Sequence, residues 1–137
     1  DKILVDAPCS GTGTIRKSLK TVNIWNPLMI TKIARTQKEL IKRAFENLKP
    51  GGVMVYSTCS VEPEENEGVV DYLLKEFADA ELLPARLPGL KHSPAVLEFN
   101  GVRYDERVVL TLRLWPQDND TEGFFVAKIR KNLTNEA

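Results

Sequence analysis

Between Leu28 and Leu48 the apolar residues recur every three or four positions. Ile30, Ile33, Ala34, Leu40, Ile41, Ala44, Phe45 and Leu48 lie on one stripe, with Gln37 among them. That 3.6-residue period predicts a helix with one buried face, and most of its lysines and arginines fall outside the stripe. Lys49-Pro50-Gly51-Gly52 supplies the proline and glycine punctuation that would end it. Two short runs flank the helix, Ile3-Leu4-Val5 and Val53-Met54-Val55-Tyr56. Both are too short for helices and rich in branched or aromatic side chains, so both read as buried strands. A strand–helix–strand crossover is nearly always right-handed and usually lays its two strands parallel and side by side.

The remainder of the chain follows the same logic. Glu62 to about Phe77 predicts a helix with Val69, Val70, Leu73, Leu74 and Phe77 as its apolar stripe. Pro63 would stand in its first turn, beside Glu62, Glu64 and Glu65 at the positive end of the dipole. Ala80 to Pro84 reads as a further short strand, and residues 85–107 as a loop-rich excursion. Val108 to Trp115 and Gly123 to Ile129 are strand candidates joined by the polar linker Gln117 to Glu122, suited to a terminal antiparallel hairpin. Residues 14–27 look irregular, with Trp25 and Pro27 as anchors, and Asn132 to Ala137 look like a frayed tail.

Composition narrows the class. The chain has 137 residues, room for one domain and one core. It is 42% hydrophobic and 28% charged, as expected of an ordinary globular protein. No apolar run approaches the ~20 residues of a membrane helix and no signal peptide is visible, so a cytoplasmic location is expected. Two cysteines fifty positions apart make neither a disulfide framework nor a zinc site, and no metal is expected. In a reducing compartment they are free thiols. Because Asp1 leads at once into an apolar strand, the chain is expected to be the carboxyl-terminal part of something longer.

Net charge is zero but unevenly spread. Ile15 to Lys49 holds nine basic residues against two acidic ones, a balance of +7. Glu62 to Glu81 holds eight acidic residues and one lysine, a balance of −7. Two solvated helix faces of opposite sign would explain this. So would a basic face that meets phosphate, and charge alone does not decide.

The chemistry gathers at two strand ends. Cys9 and Cys59 each lie just past the carboxyl end of a predicted strand, where open α/β sheets bind ligands, so both thiols should open into one crevice. Taken alone, Cys59 is either a nucleophile or a small buried hydrophobe. A following helix start would favour the thiolate, whereas the nearby glutamates oppose it, which leaves the direction of its pKa shift open. Asp6 ends the first strand at the same crevice and would also suit an Asx cap for the Pro8–Gly11 turn. Gly11 and Gly13 follow no dinucleotide fingerprint and read as turn residues. Trp25 and Trp115 could stack on bases, although core or lid packing suits each better. His92, the only histidine, reads as a surface loop residue and a poor base for a thiol hydrolase.

Two motifs carry a resemblance. Asp6-Ala7-Pro8-Cys9-Ser10-Gly11 and Ser57-Thr58-Cys59-Ser60, the latter followed by Glu62-Pro63-Glu64-Glu65-Asn66-Glu67, resemble the RNA cytosine-5 methyltransferases of the NOL1/NOP2/Sun family. Arg113-Leu114-Trp115-Pro116 and Gly123-Phe124-Phe125-Val126-Ala127-Lys128 are similar to that family's closing strands. The resemblance implies an α/β fold, a Rossmann-like S-adenosylmethionine-dependent methyltransferase sheet represented by its carboxyl-terminal half, with an antiparallel terminal strand or hairpin. It implies methylation of carbon 5 of cytosine in tRNA or rRNA, with S-adenosyl-L-methionine as cofactor. Cys59 would be the nucleophile and Cys9 would assist release of the product. Asp6 would lie near the methionine part of the cofactor and bond the target base, and the backbone at Pro8 would meet the cytosine edge. The glycine-rich loop and the acidic residues that hold the cofactor in this family are absent from the sequence. A non-catalytic partial domain that binds RNA or a protein partner is therefore the alternative.

Overall fold

The computed structural model describes residues 1–133. It places β1 at Lys2–Asp6, α1 at Lys20–Ile24, α2 at Pro27–Asn47, β2 at Val53–Thr58, α3 at Glu67–Glu76 and β3 at Ala80–Leu83. A two-stranded ribbon follows, β4 Glu98–Phe99 and β5 Val102–Arg103, then β6 Leu112–Leu114, α4 Pro116–Asn119 and β7 Phe124–Lys131. Residues 134–137 of the expected frayed tail lie outside the described residues, and Asn132 is tied by its amide to the Asp79 carbonyl at 2.8 Å.

α2 forms where the periodicity places it. The Asn26 side chain accepts from the Met29 amide at 2.8 Å, and Pro27 occupies the first turn, where a missing N–H costs nothing. Ile30, Ala34, Gln37, Ile41 and Phe45 are its buried positions. Pro50 and Gly51, whose φ of +82° suits glycine, then turn the chain into β2. β1 and β2 pair in parallel from Lys2 opposite Val53 to Asp6 opposite Ser57, as the crossover predicts.

The closing segment differs from a simple hairpin. β7 does pair antiparallel with β6, Leu112 opposite Val126, but it also inserts between β2 and β3. Phe125 to Arg130 pair antiparallel with β2, while the second edge of β7 is shared end to end by β6 and β3. Burial explains the central position: Phe125, Ala127 and Ile129 are fully buried against Met54 and Tyr56 on the face that α2 and α3 cover. Each large side chain so buried contributes roughly 1.5–3 kcal/mol. Phe45 of α2 stacks on Phe77, ring centroids 4.8 Å apart, and joins the helices to this layer.

Four expectations need correction. β1 is only half buried, with Leu4 70% exposed, because the helices cover one face of the sheet and β1 lies at its edge. Residues 14–27, entered through a 3-10 turn at Thr12–Thr14, contain the short helix α1. Val108 to Leu110 belong to a 3-10 turn, not to a strand, and α4 occupies part of the polar linker. The helix expected from Glu62 is broken: Pro63–Glu65 form a 3-10 turn and α3 starts only after Asn66.

Candidate active site

The strand ends bring the two cysteines together. β2 ends at Thr58 and β1 at Asp6, and the chain beyond each strand carries a cysteine whose sulfur meets the other at 3.0 Å. Both are free thiols and both are partly exposed. Cys9 also lines a cleft of about 220 Å³ with Pro8, Lys32, Ile33 and Thr36, so a lysine of α2 shares that cleft with Cys9.

Close backbone approach fixes the loops. The Gly13 amide donates to the Cys59 carbonyl at 2.9 Å, and the Gly123 amide donates to the Gly13 carbonyl at 2.8 Å. A Cβ on Gly13 would stand 2.5 Å from the Cys59 oxygen and 2.7 Å from the Gly123 oxygen. Gly13 is therefore a close-contact residue between three loops. Below Cys59, the buried Asn66 accepts from Thr58 Oγ1 at 2.6 Å and donates to the Ser60 carbonyl at 2.9 Å.

The carboxylates do not form the solvated acidic face that charge counting suggests. Glu65 and Glu67 are fully buried and Asp71 nearly so. Glu67 forms a two-pronged ion pair with the buried Arg113, at 2.7 and 2.8 Å, and Arg113 Nη1 also donates to the Val61 carbonyl, two residues past Cys59. Glu65 accepts from the Ser10 amide and hydroxyl, the Ser60 hydroxyl and Gln37 Nε2. Sequence reading assigned none of these a role in the site. Gln37 carried the visible signal: an amide on an apolar helix face needs a polar partner. Here its Nε2 donates to the Pro8 carbonyl at 2.9 Å.

Burial and the hydrogen bond with Cys9 push the Cys59 thiol up to about 12, with the Cys9 and Asp6 charges adding to the rise. The direction that the sequence left open is thus upward. The helix start does not follow Cys59 directly, since a 3-10 turn at Pro63–Glu65 comes before α3. Asp6 is exposed at the crevice and its carboxylate accepts from Ser57 Oγ at 3.2 Å. It does not cap the Pro8–Gly11 turn, because the Ser10 amide goes to Glu65 instead. Pro8 is exposed beside Cys9, with its carbonyl already engaged by Gln37.

The remaining candidates lie outside this arrangement. Trp25 is 43% exposed and so is not a core residue. Trp115 is partly buried with the Arg113 guanidinium over its ring, 5.0 Å from the centroid. His92 sits in a loop and contacts the Leu87 carbonyl at 3.1 Å, with no hydrogen bond to either cysteine. Among the described residues, no helix is long and apolar enough to cross a membrane.

Comparison with known proteins adds a second line of evidence. Residues 1–130 match the family model described as 16S rRNA methyltransferase RsmB/F. The tRNA (cytosine(49)-C(5))-methyltransferase of Pyrococcus abyssi is 52% identical over 131 residues, which are 96% of this chain and 42% of that protein. Ribosomal RNA small subunit methyltransferase F of Aliivibrio salmonicida is 46% identical over 132 residues, 96% of this chain and 26% of its own length. Among solved structures, a methyltransferase homolog protein from Pyrococcus horikoshii superimposes with a TM-score of 0.76 at 43% identity, covering 96% of this chain and 39% of that one. NSun6 from Pyrococcus horikoshii, solved with SFG, gives a TM-score of 0.70 at 32% identity over 93% of this chain and 29% of that one. The chain thus spans about a quarter to two-fifths of the curated relatives it matches. The expected Rossmann-like α/β methyltransferase sheet with an antiparallel closing strand is borne out.

Proposed function

Since the chain belongs to the 16S rRNA methyltransferase RsmB/F family, we propose that it forms the catalytic half of an RNA (cytosine-5)-methyltransferase acting on tRNA or rRNA in the cytoplasm. The observation that carries the reading is the pair of free thiols 3.0 Å apart at neighbouring strand ends. One thiol alone would be consistent with a packed core residue; two in contact, with a basic cleft beside them, suit a nucleophile and its helper.

Carbon 5 of cytosine is a poor nucleophile until sulfur adds to carbon 6. Cys59 forms that bond, and its proton must leave as the bond forms, because the thiol is held well above the ordinary range. Cys9 is the side chain hydrogen-bonded to Cys59 and can exchange the proton at its own sulfur. S-adenosylmethionine, when bound, supplies the electrophilic methyl group that carbon 5 accepts. The carbon-5 proton is then removed by a base, the sulfur–carbon bond breaks with its electrons returning to Cys59, and the double bond reforms. Cys9 assists this last step by sharing a proton with the departing sulfur.

The residues present fit the cofactor at one point. The exposed Asp6 carboxylate engages one hydroxyl, that of Ser57, and keeps acceptor capacity for the ammonium of a methionine moiety or the amino edge of a base. The Pro8 carbonyl contributes its second lone pair to the cytosine edge. The base itself must leave its stack to reach the crevice.

The test is trapping. Intact protein is incubated with S-adenosylmethionine and RNA carrying 5-fluorocytosine, whose carbon-5 fluorine cannot be removed as a proton. A covalent protein–RNA adduct that disappears in Cys59→Ala supports the reading. Absence of any adduct sinks it in favour of a non-catalytic module.

A further inference from the structure

Glu65 is a fully buried carboxylate whose partners are all neutral. Buried carboxylates are normally paired with a cation, so this one is held by hydrogen bonds alone. The identity of those donors matters. Ser10 directly follows Cys9, and Ser60 directly follows Cys59. Oε2 of Glu65 accepts both hydroxyls, Ser10 Oγ at 2.6 Å and Ser60 Oγ at 2.8 Å. Oε1 accepts the Ser10 amide at 2.8 Å and Gln37 Nε2 at 3.1 Å, and the same Gln37 amide holds the Pro8 carbonyl. A single carboxylate therefore spans the two loops one residue beyond each sulfur, with the Glu62 amide bonded to Ser60 Oγ at 2.9 Å as a further brace.

We propose that Glu65 is the positioning residue that sets the distance between the Cys9 and Cys59 sulfurs, and through it the balance between adduct formation and product release. The chemistry favours glutamate over its neighbours in kind. Aspartate falls one methylene short of both loops. Glutamine keeps one oxygen: an N–H₂ on the Oε1 side meets the Ser10 and Gln37 donors, and on the Oε2 side it forces both serine hydroxyls to give up donating to this side chain. The inference rests on the reading of the cysteines as a working pair, but its test requires neither RNA nor cofactor, so the two can fail separately.

The sulfur distance can be read by disulfide exchange. In a glutathione buffer, each Cys9–Cys59 disulfide formed consumes two thiols and one oxidised glutathione and releases two reduced glutathiones, so the equilibrium constant reports how well the sulfurs are held together. With intact protein, Glu65→Gln is expected to retain a cooperative thermal transition. Its disulfide equilibrium constant should fall roughly tenfold to a hundredfold, since about 1 Å of misplacement has effects of that size. Alkylation of Cys59 should also shift to lower pH, as in Cys9→Ala, because the hydrogen bond with Cys9 helps raise that thiol. The double variant Ser10→Ala/Ser60→Ala keeps the carboxylate and removes its hydroxyl arms, together with the Ser60 contacts to the Glu62 amide and Thr12, and should show the same two changes. If Glu65→Gln does not fold, this double variant decides. A folded variant with an equilibrium constant equal to or above that of the unsubstituted protein, and an unchanged alkylation profile, overturns the proposal and leaves Glu65 a packing residue.

Discussion

The two cysteine loops carry the same Cys-Ser pair at the ends of adjacent parallel strands, yet they are held differently. The Cys59 loop combines distant braces, the Gly13 amide at the Cys59 carbonyl and Arg113 at the Val61 carbonyl, with side-chain braces from its own neighbours in sequence. Asn66 bonds Thr58 and Ser60 from within eight positions, and the Ser60 hydroxyl reaches Glu65 and the Glu62 amide within five. The Cys9 loop is held from afar, by Gln37 at Pro8 and by Glu65 at Ser10, 29 and 55 positions away. Short-range contacts thus contribute to the seat of the Cys59 loop, whereas the side chains that hold the Cys9 loop arrive only with the assembled fold. A local brace is rebuilt whenever the segment folds, whereas a distant one exists only once helix, sheet and turn are assembled.

The largest break in this comparison comes from the ion pair beneath the Cys59 loop. Arg113→Met removes the partner of the fully buried Glu67 and the donor to the Val61 carbonyl. An orphaned buried charge costs about 3–5 kcal/mol. The urea midpoint should therefore drop sharply, and a loss below about 1 kcal/mol would show that the Cys59 loop does not lean on Arg113.

A matched pair of variants sharpens the contrast between loops. Asn66→Ala strips the buried Thr58 hydroxyl and Ser60 carbonyl of a partner and should cost about 1–3 kcal/mol. Gln37→Leu frees the Pro8 carbonyl and one bond to Glu65, and should cost about 1 kcal/mol, because it also removes the Gln37 Oε1 that has no partner. Site-resolved alkylation followed by mass spectrometry should show Asn66→Ala altering chiefly Cys59 and Gln37→Leu chiefly Cys9. Equal effects of both variants on both thiols would erase the distinction between local and distant bracing.

The smallest effect is on pH dependence. Folding raises Cys59 from an ordinary 9.0 to about 12, so the folded form keeps a proton that the unfolded chain releases. The sign follows: its contribution to stability is full below about 9 and is lost as pH rises toward 12. Alkylation of Cys59 should keep rising with pH through 10, and in Cys9→Ala the rise should begin at lower pH. A plateau near neutral pH in the unsubstituted protein would contradict the burial that raises this thiol.

Much of the framework was legible in the chain. The period of α2, the apolar runs of β1 and β2 and the crossover rule together placed Cys9 beside Cys59 before any coordinates, because handedness and parallel pairing leave little choice. β7 was legible as a strand but not as the centre of the sheet, since one strand's alternation does not state which neighbours it will separate. The break at Asn66 was hidden as well: Glu62 to Glu76 satisfies a helix pattern throughout, and it is divided where Asn66 bonds Thr58 and Ser60 and the Tyr56 hydroxyl takes the Glu65 carbonyl.

The two thiols and the strand ends that carry them were readable along the chain, because these depend on short-range pattern and on residue type. The environment of those thiols comes from the assembled fold. Glu65 and Glu67 look like surface charges in sequence and are interior tethers in the fold, and the Cys59 thiol is raised rather than lowered. The reason is physical: burial and hydrogen-bond partners are sums over neighbours 28 to 55 positions away, and no local window contains those neighbours.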